Sequence, residues 1–281
     1  MRAPLRVALV GCGRMGTLHA RTVANHPATQ LTTAVDAVPA RAAAIAATYG
    51  GRADDRVGEA DLVIVATPTS THRAVCAPLL AAGHWVLVEK PVGNLPEDAF
   101  VHPRALVGHC ERFNPAVRAG DVTGLRLLDA TRLSPPTGRS GDVDVITDLM
   151  VHDLDLLLSW VGEVRVGAVD VREVRGGRVE WVVAHFDFAG GSARLEASRV
   201  ARAPERRLRL HDDQGSADLD LLAGDAVRGG RSLVRPPQDA LTAQLDALVD
   251  TVRGAPYRGA TSAAGRRVVE LAEAVRRMAQ A

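Results

Sequence analysis

Short apolar runs and helix-like segments alternate through the first 110 residues of the chain. The runs of strand length are residues 5–10, 31–35, 61–66, 85–88 and 105–109. Apolar residues recur at helical spacing in the segments between the first four runs, which are residues 17–25, 37–49 and 75–82. Alternation of this kind is typical of a parallel sheet with helices on both faces. It predicts an α/β Rossmann domain in residues 1–110.

The pattern changes after residue 110, where strand follows strand. Alternating positions predict strands at residues 125–133, 165–174, 178–188, 192–200, 206–211 and 218–222. Glycine pairs at 176–177 and 190–191 mark hairpin turns. Helices are predicted at residues 142–161, 239–253 and 262–280. Residues 111–281 are therefore predicted to form an α+β domain with an open, mostly antiparallel sheet.

One face of this second sheet is expected to pack on the helix at residues 142–161. No later helix is predicted to cover the other face, although residues 178–200 carry an alternating apolar set. An uncovered apolar face indicates a protein–protein interface. The pattern therefore predicts a homodimer or homotetramer formed through the C-terminal sheet.

Composition narrows the classes of function. The 281 residues carry a net charge of +1, and the charges form no single-sign block, which argues against a nucleic-acid partner. No apolar run is long enough to cross a membrane, and the strand pattern that begins by Leu5 leaves no room for a signal peptide. Cys12, Cys76 and Cys110 are widely spaced, which indicates no metal site or disulfide framework and favours the cytoplasm.

A glycine-rich turn, Gly11-Cys12-Gly13-Arg14-Met15-Gly16, joins the first strand to the first helix. Gly11 permits the tight turn, Gly13 lets a pyrophosphate approach the backbone, and Gly16 allows close packing of the helix on the strand. The predicted helix at residues 17–25 follows at once, and its N-terminus faces the phosphates with free N–H groups. Arg14 and Met15 lie within the turn and are candidate cofactor contacts. The turn predicts a dinucleotide cofactor.

Asp36 ends the second strand, 20 residues beyond Gly16, where a carboxylate binds the ribose diol of adenosine. Its alternative role is to cap the turn that follows. A carboxylate repels a 2′-phosphate, so NAD is favoured as cofactor over NADP. Thr67, Pro68 and Thr69 end the third strand and are candidate cofactor contacts, with helix capping as the alternative. His72 is expected to support this region or to cap the helix.

Lys90 is the only lysine among the 34 basic residues. It follows a predicted buried strand, at the carboxyl end where open parallel sheets bind their ligands. An ammonium is a compact charge with a tunable pKa, whereas a guanidinium is a flat and permanently charged fork. A site that needs a small proton donor beside a reacting oxygen therefore favours lysine. The alternative is a surface lysine with no function.

The helix predicted at residues 142–161 is apolar nearly all round. At about 100° per residue, Asp148, His152, Asp155 and Ser159 fall in one narrow stripe, which is typical of a buried helix at the edge of a wet cleft. Asp148 and His152 are four residues apart, so the carboxylate can fix the histidine tautomer and raise its basicity. The alternative is a core histidine satisfied by a neighbouring acid.

These motifs together resemble the glucose–fructose oxidoreductase / inositol dehydrogenase / rhizopine catabolism (Gfo/Idh/MocA) family. The resemblance rests on the glycine turn, Ala66-Thr67-Pro68…His72, Gly83 to Pro91, Gly108 to Pro115, and Asp148-x-x-x-His152-x-x-Asp155. It implies that Glu89-Lys90-Pro91 lies at the nicotinamide end, often with a cis bond before the proline. It also implies that the aspartate and histidine of the helix work with the lysine turn.

Two finer features accompany the resemblance. The sequence from Asp148 to Asp153, with Gly108 to Asn114, resembles members that oxidise UDP-N-acetylhexosamines at the sugar 3-position. The segment at residues 92–104 departs from the family, because it is short and contains Pro96 and Pro103. It leaves room for at most one or two helical turns around residues 97–101.

The predicted function is hydride transfer between NAD and a secondary hydroxyl of a sugar, polyol or nucleotide sugar. His152 would take the hydroxyl proton, Lys90 would stabilise the charge on the same oxygen, and Asp148 would orient His152 or bind a neighbouring hydroxyl. Arg112 and Asn114 are candidate substrate contacts. Arg132 and Arg139 flank the loop before the helix and are candidates for binding a diphosphate.

Two other classes of function stay open at this point. One is a non-catalytic regulator that responds to NAD, although a binding protein has no use for a lysine–histidine pair. The other is an enzyme that keeps NAD as a resident cofactor and oxidises its substrate only transiently. Net release of NADH distinguishes a simple dehydrogenase from this last case.

Overall fold

The computed structural model describes residues 3–136 and 143–280, which form two compact units. The first unit contains the described residues up to Cys110 together with Ala240–Arg266, and the second contains those of 111–239 and 267–280. The strands are β1 (Leu5–Val10), β2 (Thr29–Val35), β3 (Arg52–Asp54), β4 (Leu62–Val65), β5 (Trp85–Val88), β6 (Ala105–Val107), β7 (Leu127–Leu133), β8 (Val164–Arg175), β9 (Arg178–Phe188), β10 (Gly191–Ser198), β11 (Glu205–Asp212), β12 (Gly215–Asp220), β13 (Asp225–Arg228), β14 (Arg231–Ser232) and β15 (Ala260–Thr261).

The α-helices are α1 (Arg14–Asn25), α2 (Pro39–Tyr49), α3 (His72–Ala81), α4 (Pro115–Gly120), α5 (Val151–Val161), α6 (Ala240–Val252) and α7 (Ser262–Gln280). Short 3-10 turns occupy Thr69–Thr71 and Cys110–Phe113, and a π-helical turn, Ile146–Met150, runs directly into α5. Of the helices that the structure describes, none has both the length and the apolar character needed to cross a membrane.

The first unit contains a sheet in the order β15-β6-β5-β4-β1-β2-β3. Neighbouring strands run parallel, except for the antiparallel pair of β6 and β15. The central strands β1 and β4 are fully buried along most of their length, as expected for a parallel sheet covered on both faces. The predicted Rossmann fold is confirmed. Because β5, β4 and β1 are neighbours, the turns that follow them lie along one edge of the sheet.

The first unit also takes up a segment that the sequence pattern had placed in the second domain. Leu245, Leu248 and Val249 of α6 belong to the same buried cluster as Val7 and Ile64 of the first sheet. Two residues of β15 pair with β6 at the edge of that sheet. The domain boundaries predicted from the sequence, 1–110 and 111–281, differ from the two units in this respect, since a helix pattern alone does not specify which sheet the helix will cover.

The segment from Val92 to Arg104 contains no helix. Its main-chain hydrogen bonds include Asp98 N–H to Leu95 O and Ala99 N–H to Leu95 O, which form one turn. This turn lies slightly earlier than the expected helical turns at residues 97–101. Pro96 and Pro103 lie within the segment and remove two backbone donors, which explains why no helix propagates.

The second unit contains a sheet in the order β14-β13-β12-β11-β7-β10-β9-β8, antiparallel except for the parallel pair of β7 and β10. The prediction of an open, mostly antiparallel sheet is confirmed. On one face, alternate residues of β9 and β10 such as Val182, Phe186 and Leu195 share a buried cluster with Leu154 and Leu157 of α5.

This arrangement corrects the expectation that the apolar set in residues 178–200 lacks a covering helix. Most apolar positions of β9 and β10 face α5, whereas the other face is mixed, with Arg194 and Glu196 on β10 beside Trp181 and Val183 on β9. There Arg194 donates to Glu196 at 2.7 Å and to Asp129 at 3.3 Å. Trp181 donates its indole N–H to Glu196 at 2.8 Å. The open face of the sheet is therefore mixed in polarity, and an interface formed through it stays a prediction.

Candidate active site

The glycine turn after β1 has the geometry that a dinucleotide requires. Gly11 has a φ of +94°, and a Cβ there would lie 2.6 Å from the carbonyl oxygen of Ala66. A Cβ on Gly16 would overlap the carbonyl oxygen of Gly11. At Gly13, by contrast, no described atom lies within 4 Å of an added Cβ. The backbone is therefore closely packed on one side and open on the side where a pyrophosphate would approach.

The start of α1 leaves its first N–H groups available to a phosphate. Gly13 is the N-cap and provides no side-chain cap, and the first turn, from Arg14 to Thr17, contains no acidic residue. The Thr17 N–H is already bonded to the Gly13 carbonyl at 2.8 Å, so the donors at positions 14–16 are those that point out of the helix. These residues fit NAD.

Asp36 holds the same turn in place. Its Oδ2 accepts the backbone N–H of Cys12 at 2.7 Å, and its Oδ1 accepts the N–H of Val38 at 2.8 Å. The alternative role, capping of the turn, is thus real. It does not compete with ribose binding, because each carboxylate oxygen has a further lone pair for a hydroxyl donor.

The end of β4 is linked to the lysine turn by His72, which is 1% exposed. One ring nitrogen lies 2.9 Å from the Pro91 carbonyl oxygen and the other 3.0 Å from that of Thr67. Both partners only accept, so only the imidazolium satisfies both of them. Burial nevertheless lowers the pKa of His72, against the opposing effect of the two carbonyls and the charge of Glu89. In the contacts that the structure describes, His72 therefore connects the end of β4 to the lysine turn.

The hydroxyl of Thr71 donates to the Pro68 carbonyl oxygen at 2.7 Å and lies 2.8 Å from the hydroxyl of Thr67. Neither the 3-10 turn Thr69–Thr71 nor α3 has a side-chain cap at its N-terminus. The capping role that the sequence left open for this region is therefore not observed. A cofactor role for Thr67, Pro68, Thr69 and His72 stays a prediction.

The lysine turn follows β5 and contains a cis peptide bond between Lys90 and Pro91, as the resemblance implied. Glu89 is 8% exposed, and its Oε1 lies 2.7 Å from Nε2 of His19 on α1. Its Oε2 accepts the backbone N–H of Lys90 at 3.2 Å. A Cβ on Gly108 would come within 3.0 Å of this carboxylate. The backbone of the turn is thus fixed on both sides of Lys90, by Glu89 and by His72.

Burial acts to raise the pKa of Glu89, but the hydrogen bond and charge of His19 and the charge of Lys90 outweigh it. The pKa of Glu89 is therefore lowered, and the carboxylate stays ionised. Sequence reasoning did not identify His19 as part of this site. A signal was present, because His19 shares the buried face of α1 with Gly16, Ala20 and Val23 at helical spacing.

The helix predicted at residues 142–161 begins with the π-helical turn Ile146–Met150. Here the Val151 N–H bonds to the carbonyl oxygens of Ile146 and Leu149. Bonds of the i→i+5 type widen a helical turn, so the 100° periodicity does not hold across it. Asp148 lies in the π-helical turn and His152 in α5, and π-helical turns of this kind occur frequently at functional sites.

The stripe inferred from the helical wheel is only partly correct. Asp155 is 0% exposed and receives two hydrogen bonds from Arg112, at 2.6 and 2.7 Å. It therefore does not face a wet cleft. The Ser159 hydroxyl donates back to the Leu156 carbonyl oxygen at 2.7 Å. Asp148 and His152 are both partly exposed, so solvent or a substrate can reach this acid–imidazole pair.

Each carboxylate that the structure describes between residues 143 and 161 belongs to an aspartate that pairs with a different arginine. The pairs are Asp144 with Arg276, Asp148 with Arg199, Asp153 with Arg132, and Asp155 with Arg112. Arginine provides a flat fork of donors that matches a carboxylate. The second unit therefore anchors both the π-helical turn and α5 by charge-assisted hydrogen bonds.

The other candidate substrate residues have scaffold contacts. Asn114 is 6% exposed: its Oδ1 caps α4 at Ala116 N–H, and its Nδ2 donates to Glu111 and to the Leu221 carbonyl oxygen. Arg132 is 2% exposed and buried against Glu111 and Asp153, so it is not available to a diphosphate. Arg139 lies outside the described residues, and its role stays a prediction, as do those of Arg112 and Asn114.

Comparison with known proteins agrees with this geometry. Residues 5–112 match the model of the GFO_IDH_MocA oxidoreductase family with an NAD-binding Rossmann fold. The chain is 34% identical to UDP-N-acetylglucosamine 3-dehydrogenase of Acidithiobacillus ferrooxidans, over 97% of this chain and 96% of that one. It is 27% identical to inositol 2-dehydrogenase of Rhizobium meliloti, over 83% and 81% of the two chains.

Solved structures show the same relationship. The structure of UDP-N-acetylglucosamine 3-dehydrogenase GnnA from Acidithiobacillus ferrooxidans superposes with a TM-score of 0.88 at 32% identity and covers 99% of this chain and 98% of that one. The likeness extends through both units. The chain therefore belongs to the Gfo/Idh/MocA oxidoreductase family, and its activity is that of an NAD-dependent dehydrogenase acting on CH–OH groups.

Proposed function

We propose that the protein oxidises the 3-hydroxyl of a UDP-N-acetylhexosamine, with NAD as the hydride acceptor. The proposal rests on the likeness, over 97% of this chain, to a UDP-N-acetylglucosamine 3-dehydrogenase. The sequence from Asp148 to Asp153 resembles the same subgroup. Myo-inositol is the second candidate substrate, because the chain also resembles an inositol 2-dehydrogenase over 83% of its length.

The cofactor would be held by the glycine turn and by Asp36. The open backbone at Gly13 and the donors at the start of α1 suit the pyrophosphate, and the Asp36 carboxylate suits the ribose diol. Bound NAD supplies a site that takes up the hydride from the carbon being oxidised. The Asp36 charge favours NAD over NADP, since it repels a 2′-phosphate.

The chain itself supplies the proton chemistry. His152 takes the proton of the hydroxyl that is oxidised, while the Lys90 ammonium hydrogen-bonds the same oxygen and stabilises its developing negative charge. Asp148 orients the His152 ring. The positive charge of Lys90 favours neutral, proton-accepting His152. The hydroxyl proton thus stays on the protein until solvent removes it, and the carbon is left as a ketone.

The decisive experiment measures NADH formation with the full-length protein and a panel of substrates. The panel contains UDP-N-acetylglucosamine, UDP-glucose, free N-acetylglucosamine and myo-inositol. We expect NADH with UDP-N-acetylglucosamine and little with the free sugar, because the nucleotide supplies binding energy. Reduction of the product with borodeuteride, followed by NMR, should place the deuterium at C3.

The His152→Ala variant is the control, because it tests whether NADH formation depends on the proposed general base. NADH with myo-inositol alone would favour the second candidate substrate. Binding of NAD without NADH release on any substrate would favour a regulator, or an enzyme with a resident cofactor.

A second copy of the chain is the proposed partner, in a homodimer or homotetramer formed through the open face of the second sheet. That face holds a concavity of about 880 Å³ lined by side chains that include Leu127, Asp129, His185, Arg194, Arg209 and Asp218. Both signs of charge are interspersed on it, which suits a self-complementary interface. Sedimentation that shows a monomer at micromolar concentration would contradict this.

We also place the protein in a reducing compartment, the cytoplasm. Cys12 and Cys76 are buried free thiols. Burial raises the pKa of Cys12 to about 11, helped by the charge of Asp36, and burial raises that of Cys76 to about 12. Fractionation of cells that produce the protein tests this directly.

A further inference from the structure

Arg199 connects the sheet of the second unit to the π-helical turn. It follows β10 and is 9% exposed. Its Nε and Nη2 donate to the two carboxylate oxygens of Glu180 at 2.9 and 2.8 Å. Nη2 also donates to the Val143 carbonyl oxygen at 2.8 Å, and Nη1 lies 3.4 Å from Oδ2 of Asp148. One guanidinium therefore contacts β9, the chain before the π-helical turn, and the acid in that turn.

Contacts with Glu180 fix the position of this guanidinium independently of Asp148. The Arg199 N–H bonds to the Glu180 carbonyl oxygen at 2.9 Å, so the two residues are neighbours across the sheet. Their side chains then meet in a bidentate pair, which restrains the plane of the guanidinium. A lysine has no such fork and cannot hold Glu180 at two points while facing Val143 and Asp148.

The Asp148 carboxylate is partly accessible to solvent. Its side chain is 21% exposed, and it lies in a π-helical turn, a geometry that is rare and often found at functional sites. An anchored cation at 3.4 Å restricts the rotamers that this carboxylate can adopt. Arg276 restrains the same turn from α7 through Asp144 and Thr147, so two arginines hold the segment that carries Asp148.

We propose that Arg199 is a positioning residue for catalysis, which holds the Asp148 carboxylate in the rotamer that orients His152. The inference rests on the proposed function of His152 as general base. Arg199 itself touches neither substrate nor cofactor in this assignment, and it acts only through Asp148. Misplacement of a catalytic group by about 1 Å costs on the order of a hundredfold in rate. Loss of Arg199 should therefore lower kcat and change substrate KM and NAD affinity much less.

The experiment is a double-mutant cycle between Arg199 and Asp148. The variants are Arg199→Gln, Asp148→Asn and the double variant, with kcat and KM measured on the substrate that gives NADH in the panel above. Arg199→Gln should lower kcat by roughly tenfold to a hundredfold. In the Asp148→Asn background the same change should have almost no further effect, because the carboxylate that it positions is gone.

Two further variants separate positioning from folding. Glu180→Gln keeps the cation but weakens the bidentate pair, so it should lower kcat by less than Arg199→Gln does. Arg175→Gln removes an exposed arginine of the same sheet, on β8, that contacts Glu173 instead, and it should leave kcat unchanged. Thermal unfolding of each variant shows whether a loss of kcat simply follows a loss of fold.

The outcomes distinguish this inference from the function on which it rests. Additive losses in the cycle, or a normal kcat in Arg199→Gln, would overturn the inference while an inactive His152→Ala still supported the base. Normal turnover in both His152→Ala and Asp148→Asn would overturn the proposed proton chemistry and Arg199's role with it. Loss of kcat that is coupled to Asp148, at unchanged NAD affinity, is the expected result.

Discussion

The buried arginine of the second sheet offers a sharp test of how this unit is held together. Arg132 lies on β7, where its Nε and Nη2 donate to Asp153 at 2.9 and 2.8 Å and its Nη1 donates to Glu111 at 2.9 Å. Arg132→Met keeps most of the side-chain volume but removes the charge. It leaves two buried carboxylates without their cation, which is the costly way to break a buried ion pair.

The magnitude follows from the partners that remain. Removal of one partner of a buried pair costs about 3–5 kcal/mol. Glu111 keeps Arg206 at 3.2 Å and the Asn114 amide at 2.9 Å, so the lower part of that range applies. We expect the free energy of unfolding to fall by about 3–4 kcal/mol near neutral pH, and Tm to fall by on the order of 10 °C.

The loss should also depend on pH, because Glu111 titrates differently in the two proteins. In the unmutated protein burial acts to raise the pKa of Glu111, but Arg132 and Arg206 outweigh it and the pKa is lowered. Its stabilising effect is thus present above the unfolded-state pKa and is lost as pH falls through the folded-state pKa. Without Arg132, burial dominates and the pKa rises, so Glu111 can take up a proton. The loss of unfolding free energy caused by Arg132→Met should therefore become smaller as the pH is lowered towards about 5.

Urea unfolding at neutral and mildly acidic pH measures both effects. The matched control is Arg126→Met, directly before β7, where Arg126 and Asp213 pair at 3.0 Å with side chains that are 61% and 56% exposed. That variant should change stability by no more than about 1 kcal/mol. The reasoning is refuted if Arg132→Met costs no more than Arg126→Met, or if its cost is the same at both pH values.

Four further outcomes concern the site. Gly13→Val should keep its Tm but weaken NAD binding at least about tenfold in a calorimetric titration, because its side chain enters the open space meant for the pyrophosphate. NAD should bind more tightly than NADP, and Asp36→Ser should narrow the gap by removing repulsion of the 2′-phosphate; equal affinities in the unmutated protein would contradict this. Lys90→Ala and His152→Ala should each lower kcat by roughly a hundredfold or more with non-additive losses, and Lys90→Arg should not restore turnover. Arg139→Ala should raise KM for a UDP-sugar, and an unchanged KM would exclude Arg139 from recognition.

The cofactor half of the site could be predicted from the sequence because the residues that identify it lie close together along the chain. A strand, three glycines and a helix start lie within a dozen or so positions of Gly11, and Asp36 ends the next strand. Each residue type is required by its own backbone conformation or charge, so the pattern predicts its role without knowledge of distant contacts. Lys90 was accessible for the same reason, as the single lysine after a buried strand.

The supporting role of the buried arginines was missed, although the strands contained a signal. Arg132 shares the inward face of β7 with Leu128 and Ala130, and Glu180 shares that of β9 with Val182 and Ala184. A charged residue at an inward position of an apolar alternation indicates a buried partner. The pattern cannot name that partner, because the strand period specifies only which face a side chain occupies.

The sequence by itself determined the order of the elements, the two kinds of sheet and the chemistry of the cofactor turn, since periodicity and turn residues act over a few positions. Only the tertiary structure decided which acid meets which arginine. Arg199 and Asp148 are 51 residues apart and Arg276 and Asp144 are 132 apart. The fold likewise decided that α6 joins the first unit and that α5 begins with a π-helical turn. Such pairings depend on how distant segments pack, and many arginines in this chain are equally suitable partners until the sheets bring one of them within reach.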